Sequence, residues 1–85
     1  MSERLILEGT LQEKKMERMK LATKAQGLIR SIKMIIQPAP VTPLGELRTG
    51  EALELMAELD RVKRRYDRLS AEIGEIKKEL GVDED

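Results

Sequence analysis

The stretch from Leu55 to Leu80, LMAELDRVKRRYDRLSAEIGEIKKEL, decides how the chain folds. Its ladder of Leu55, Leu59, Val62, Tyr66, Leu69, Ile73, Ile76 and Leu80 alternates steps of four and three without a break. Such steps average about 3.5 residues, close to one helical turn, so these side chains form a single narrow stripe. A stripe this narrow reads as a coiled-coil seam, because helices of ordinary globular domains carry a broader apolar face.

Toward the amino terminus the same beat returns in Leu7, Leu11, Lys14, Arg18, Leu21, Ala25, Leu28, Ile32 and Ile35, with basic residues at two positions. Between the ladders lies the one cluster of helix breakers, Gln37-Pro38-Ala39-Pro40-Val41-Thr42-Pro43. Each proline lacks an N–H and pushes its predecessor out of the helical region. The first helix is therefore expected over about 3–36 and a proline-rich loop over about 37–42. With Thr42 as cap and Pro43 as first helical residue, the second helix would span about 43–80. Thr49-Gly50-Glu51 offers another start, nearer 50. Gly81 supplies a left-handed cap that lets Val82 fold back onto Ile76, and residues 81–85 form an acidic tail.

A short connection favours antiparallel neighbours. The fold class is thus all-α, a two-helix antiparallel coiled-coil hairpin forming a single domain over residues 1–85. Folding about the loop pairs residues whose numbers total roughly 83. That register sets Leu28 against Leu55, Leu21 against Val62, Leu7 against Ile76, Lys14 beside Leu69 and Arg18 beside Tyr66. A guanidinium lying on the tyrosine face is worth about 0.5–1 kcal/mol where exposed, and the two basic seam residues are expected to fix the register.

Composition sharpens the reading. Charged residues make up 38% of the chain and aromatics 1%, which excludes a core of large side chains but permits seams of Leu, Ile, Met and Ala. Periodic Leu and Ile argue against disorder. A domain of 85 residues buries only about 60% of its unfolded surface and usually needs a disulfide, a metal or oligomerisation. Cys and His are both absent, so oligomerisation is expected, into a four-helix bundle or a higher oligomer. The expected oligomer interface is a second apolar strip near the loop, formed by Ile29, Ile36, Leu53 and Met56, with Ala52 beside them. Met16 and Met34 form a thinner line that reads as scattered surface methionine.

Chemistry finds little to work with: there is no His base, no Cys nucleophile, and no Ser or Thr with a base at a recognisable spacing. The row Glu51, Glu54, Glu58 lacks the Glu-x-x-His pair of bundle metal sites and reads as a solvated face. The segment between Gly45 and Gly50 lacks the ending of a phosphate loop. No enzyme activity, cofactor, metal or small-molecule substrate is expected; an enzyme would need residues from a partner subunit. The apolar runs are triplets, far below the roughly 20 residues of a membrane span. No secretory signal is visible at Met1-Ser2-Glu3-Arg4, and a cytoplasmic location is expected.

Charge sums to zero but is segregated. Lys14 to Lys24 and Arg61 to Arg68 each hold five basic residues and one acidic; Glu46 to Asp60 holds five acidic and one basic. In the hairpin the two basic stretches lie side by side as a waist of Lys14, Lys15, Arg18, Arg61, Arg64, Arg65 and Arg68. Two functions follow. The leading one is a non-enzymatic interaction protein, a small accessory or regulatory subunit that self-associates and docks a partner protein, its flanking charges setting partner choice. The alternative is a small nucleic-acid-binding regulator using the basic patch; zero net charge and the lack of stacking aromatics weigh against it.

Overall fold

A computed structural model describes residues 2–37 and 40–82 and consists of two long helices folded back on each other. Helix α1 is Glu3–Ile36 and helix α2 is Thr49–Leu80. Together they make a rod of 62 × 20 × 14 Å. No helix among the described residues is long and apolar enough to cross a membrane. The expected acidic tail at Asp83-Glu84-Asp85 and the Pro38-Ala39 part of the loop lie outside the described residues.

Helix α1 starts where Ser2, in extended conformation, accepts the Leu5 N–H through its hydroxyl at 3.2 Å, with Glu3 favourably placed in the first turn. It ends at Gln37, whose N–H still donates to the Lys33 carbonyl at 2.7 Å before the prolines intervene.

The second helix departs from one of its two expected starts. Pro43 is not helical; it is extended (φ −54°, ψ 139°) and precedes a single 3₁₀ turn, Leu44–Glu46, that has no side-chain cap. Thr42 therefore does not act as the helix cap. Gly45 inside this turn is a poor helix former, and Leu47 returns to extended backbone (φ −71°, ψ 130°), which separates the turn from α2. Helix α2 then begins at Thr49, where the Arg48 carbonyl accepts the Ala52 N–H at 3.1 Å and the Arg48 guanidinium meets Glu51 at 3.2 Å. At the other end Gly81 adopts φ 74°. Its N–H donates to Lys78 O at 3.2 Å and that of Val82 to Lys77 O at 2.9 Å, the paired bonds of a left-handed glycine cap.

The seam runs the length of the rod. Every ladder residue of α1 is buried or half-buried, and so is every ladder residue of α2 except Tyr66. Leu69 and Ile73 are the most enclosed, at 0% and 2% exposed. Leu11, Ile73 and Leu80 cluster toward the open end, with Leu7 and Ile76 packed against them. This agrees with the expected pairing of Leu7 and Ile76. Tyr66 corrects the reading of an unbroken apolar ladder, being 37% exposed. Opposite it stands Arg18, whose charge keeps to the seam's edge, and the ring lies out there with the guanidinium 5.9 Å from its centroid. Lys77, beside the ladder, is buried although the period alone does not single it out.

Candidate interaction surface

Several basic residues of the waist are engaged within the hairpin. Lys14 reaches across to Glu72 at 2.9 Å, Arg65 to Glu17 at 2.9 Å, and Lys24 to Glu58 at 2.9 Å. Arg18 donates to the Ser70 hydroxyl at 3.3 Å while lying over Tyr66. Arg64 pairs with Asp60 one turn back at 2.9 Å. Lys14 thus ends on a carboxylate one turn past Leu69, the residue expected beside it. Lys15, Arg61 and Arg68 make no ion pair among the described residues, and neither does Lys20.

The ion pairs between helices share one flank. Glu17 and Lys24 directly precede seam residues Arg18 and Ala25, and Glu58, Arg65 and Glu72 directly precede Leu59, Tyr66 and Ile73. In an antiparallel pair such positions face each other along one edge of the seam, and the residues following Leu21, Leu28, Ile35 and Leu55 face each other along the other. Those followers are Ala22, Ile29, Ile36 and Met56. One flank is closed by charge and the other, in the loop half, is apolar.

The open flank carries the residues expected to form an oligomer interface. Ile29, Ile36, Leu53 and Met56 are all exposed, Leu53 at 71%, and Ala52 is half-buried. Met56 borders two shallow grooves, one lined by Ile32, Lys33, Ile36 and Gln37 and the other by Leu53, Ala57, Leu59, Asp60 and Lys63. Farther from the loop the same flank carries Lys63, which follows Val62 and pairs with Asp67 at 2.7 Å, and then Lys15, Ser70 and Lys77, so the apolar strip gives way to polar residues at the waist. On the outer face of α1, Met16 is joined by Met19, Lys20 and Thr23 around a third groove; the thin methionine line is thus wider than Met16 and Met34 alone suggest. Val41 and Leu44 in the connection, and Leu5 and Ile6 in the first turn, are further exposed apolar residues off the ladder. They belong to no periodic stripe, and the heptad beat does not select them.

The row Glu51, Glu54, Glu58 does not converge. Glu51 is held by Arg48 and Glu58 by Lys24, and no group of three carboxylates able to hold a metal occurs among the described residues.

The ion pairs leave a titration signature. The hydrogen bond and charge of Lys24 hold the Glu58 carboxyl below its ordinary value, with a smaller contribution from Arg61. Lys14 does the same for Glu72, helped by Arg65 and Arg68. A carboxyl that titrates lower in the folded hairpin than in the unfolded chain adds stability above the ordinary glutamate range, and that stability is lost as pH falls through the lowered value. Thermal melting is accordingly expected at a lower temperature near about pH 3 than near about pH 7. Glu58→Gln and Glu72→Gln together should shrink that difference; an unchanged difference would assign the pH dependence elsewhere.

Arg18 tests the register. Placing a polar residue in a seam lowers stability but discriminates between alternative alignments. Arg18→Leu is expected to leave melting unchanged or raised, while replacing one sedimenting species with a mixture. A variant that keeps both stability and a single species denies Arg18 this role.

Compared with known proteins, the chain matches no family model, no curated protein and no solved structure.

Proposed function

We propose that the chain is a non-enzymatic interaction protein, a helical hairpin that self-associates and docks a partner protein as a small accessory or regulatory subunit. The observation that carries this reading is the exposed strip of Ile29, Ile36, Leu53 and Met56 on a rod whose buried apolar residues, among those described, are only Leu11, Ile35, Val62, Leu69, Ile73 and Leu80. Exposed apolar surface rimmed by polar side chains is the usual mark of a protein contact. The flank pairs support the same reading, because they hold the two helices in one register and leave the strip accessible. A cytoplasmic location, expected from the sequence, belongs to this proposal.

Sedimentation equilibrium at micromolar concentrations tests self-association. A dimer or larger species is expected, and Ile29→Glu with Ile36→Glu should shift it to monomer without loss of helical circular dichroism. A wild-type chain that stays monomeric throughout rejects the self-associating part of the proposal.

The second reading, a nucleic-acid-binding regulator, is favoured by Lys15, Lys20, Arg61 and Arg68, which remain outside the ion pairs among the described residues. Gel shift against duplex DNA and RNA at low and high salt separates the two. Binding that falls steeply with salt promotes this reading.

A further inference from the structure

We infer that the outward face of α1, from Met16 to Met34, is a docking face for an acidic amphipathic helix of a partner protein. This rests on the partner docking proposed above and names the partner's chemistry and the face that takes it, which is separate from the apolar flank.

The face is a second stripe on the first helix. Met16, Lys20, Thr23, Gly27, Arg30 and Met34 step by four and three on the side of α1 turned away from α2, with Met19 and Lys33 beside them. Steps of that size are the ones a second helix follows when it is laid alongside. Met16, Met19 and Met34 are 58%, 69% and 67% exposed. Met16, Met19, Lys20 and Thr23 line a shallow groove, and the Thr23 hydroxyl donates back to the Met19 carbonyl at 3.2 Å, so it is not left unpaired there. Methionine, unbranched and polarisable, adapts its shape to an incoming apolar side chain.

Charge names the occupant. From Arg18 to Ile36, α1 holds five basic residues and no acidic one. Lys24 is taken by Glu58 and Arg18 lies over Tyr66. That leaves Lys20, Arg30 and Lys33 exposed and in no ion pair among the described residues. Glu17 belongs to Arg65 on the closed flank, and Glu13, one turn before Met16, bounds the face. The outward face of α2 differs: Asp60, Arg61, Arg64, Asp67 and Arg68 mix the signs, and Arg64 pairs with Asp60 at 2.9 Å. A partner complementary to the α1 face therefore brings carboxylates beside apolar anchors. Three cations spread over the roughly 27 Å from Met16 to Met34 are sparse for duplex DNA, which carries a charge about every 1.7 Å. Three methionines without Trp, Phe or Leu are too few apolar side chains for a helix lying in a lipid interface.

The test uses the full chain with isotope-labelled methionine methyls, so that Met16, Met19 and Met34 report on this face and Met56 on the apolar flank. The probe is a synthetic helix of about 20 residues with a leucine stripe flanked by glutamates; its control has glutamine in place of every glutamate. With the glutamate peptide, the Met16, Met19 and Met34 signals should shift and that of Met56 should not. Lys20→Glu, Arg30→Glu and Lys33→Glu together should weaken that binding by about tenfold or more, with helical circular dichroism retained. Equal binding by the two peptides, an unaltered affinity in the triple variant, or equal shifts with duplex DNA or phosphatidylglycerol vesicles overturns the inference. So do shifts at the same methyls on concentrating the hairpin alone, which give the face to a second copy. A shift at Met56 alone overturns it while leaving partner docking in place, and no shift at any of these methyls with either peptide overturns both.

Discussion

Leu69→Ala is expected to remove about 2–5 kcal/mol of stability, the usual cost of truncating a fully buried leucine. Leu69 is 0% exposed and sits mid-seam, between Val62 and Ile73, in a rod only 14 Å thick. A two-helix layer has no third element that can close over the missing methyls, so little of the cavity can collapse. Domains of this size stand at the low end of the roughly 5–15 kcal/mol typical of folded proteins. A single truncation here can therefore leave much of the population unfolded at room temperature. Urea titration followed by far-ultraviolet circular dichroism measures the loss. Val41→Ala, at a connection residue 85% exposed, serves as the comparison and should change stability by no more than about 0.5 kcal/mol. Equal effects at the two sites would mean that the seam does not hold the hairpin together.

The opposite sign is expected from replacing Gly9, Gly27 and Gly74 together with alanine. All three lie inside helices, and a Cβ added at any of them meets nothing within 4 Å. Glycine in a helix interior costs about 0.8–1.0 kcal/mol relative to alanine because it surrenders more backbone freedom on folding. The sites are far apart and should add, for a gain of about 2–3 kcal/mol. Melting should rise by roughly 10–20 °C, given the usual sensitivity of domains this small. Gly81→Ala provides the contrast. The space around Gly81 is equally open, but its φ of 74° is a conformation that costs an L side chain about 1–2 kcal/mol. Stability should fall there. A triple variant no more stable than wild type would mean that helix propensity is not what limits this hairpin.

Features carried by short local stretches are legible in the sequence alone. The beat of α2, the proline cluster that ends α1, and the glycine cap at Gly81 each depend on a few residues close together in the chain. The register follows from the loop's position: Lys24 with Glu58 and Arg65 with Glu17 total one below the expected pairing, and Arg18 with Tyr66 one above. The start of α2 is legible only as a choice. A cap at Thr42 and a start at Thr49 both satisfy local rules, and the extended residue Leu47 separates the two. Tyr66 fits the period yet lies outward, because period records the angle around a helix and not whether a ring fits beside a facing Arg18.

By itself, then, the sequence determined two helices, their ends to within the choice of start for α2, the seam and its approximate register. All of these follow from repeats of 3.5 to 3.6 residues and from the backbone limits of proline and glycine. Only the tertiary structure decided which flank is closed. Which carboxylate meets which amine depends on how the two helices are rotated and offset against each other, and no single helix encodes that. With Glu17, Glu58 and Glu72 drawn to one edge, Ile29, Ile36 and Met56 are left together on the other.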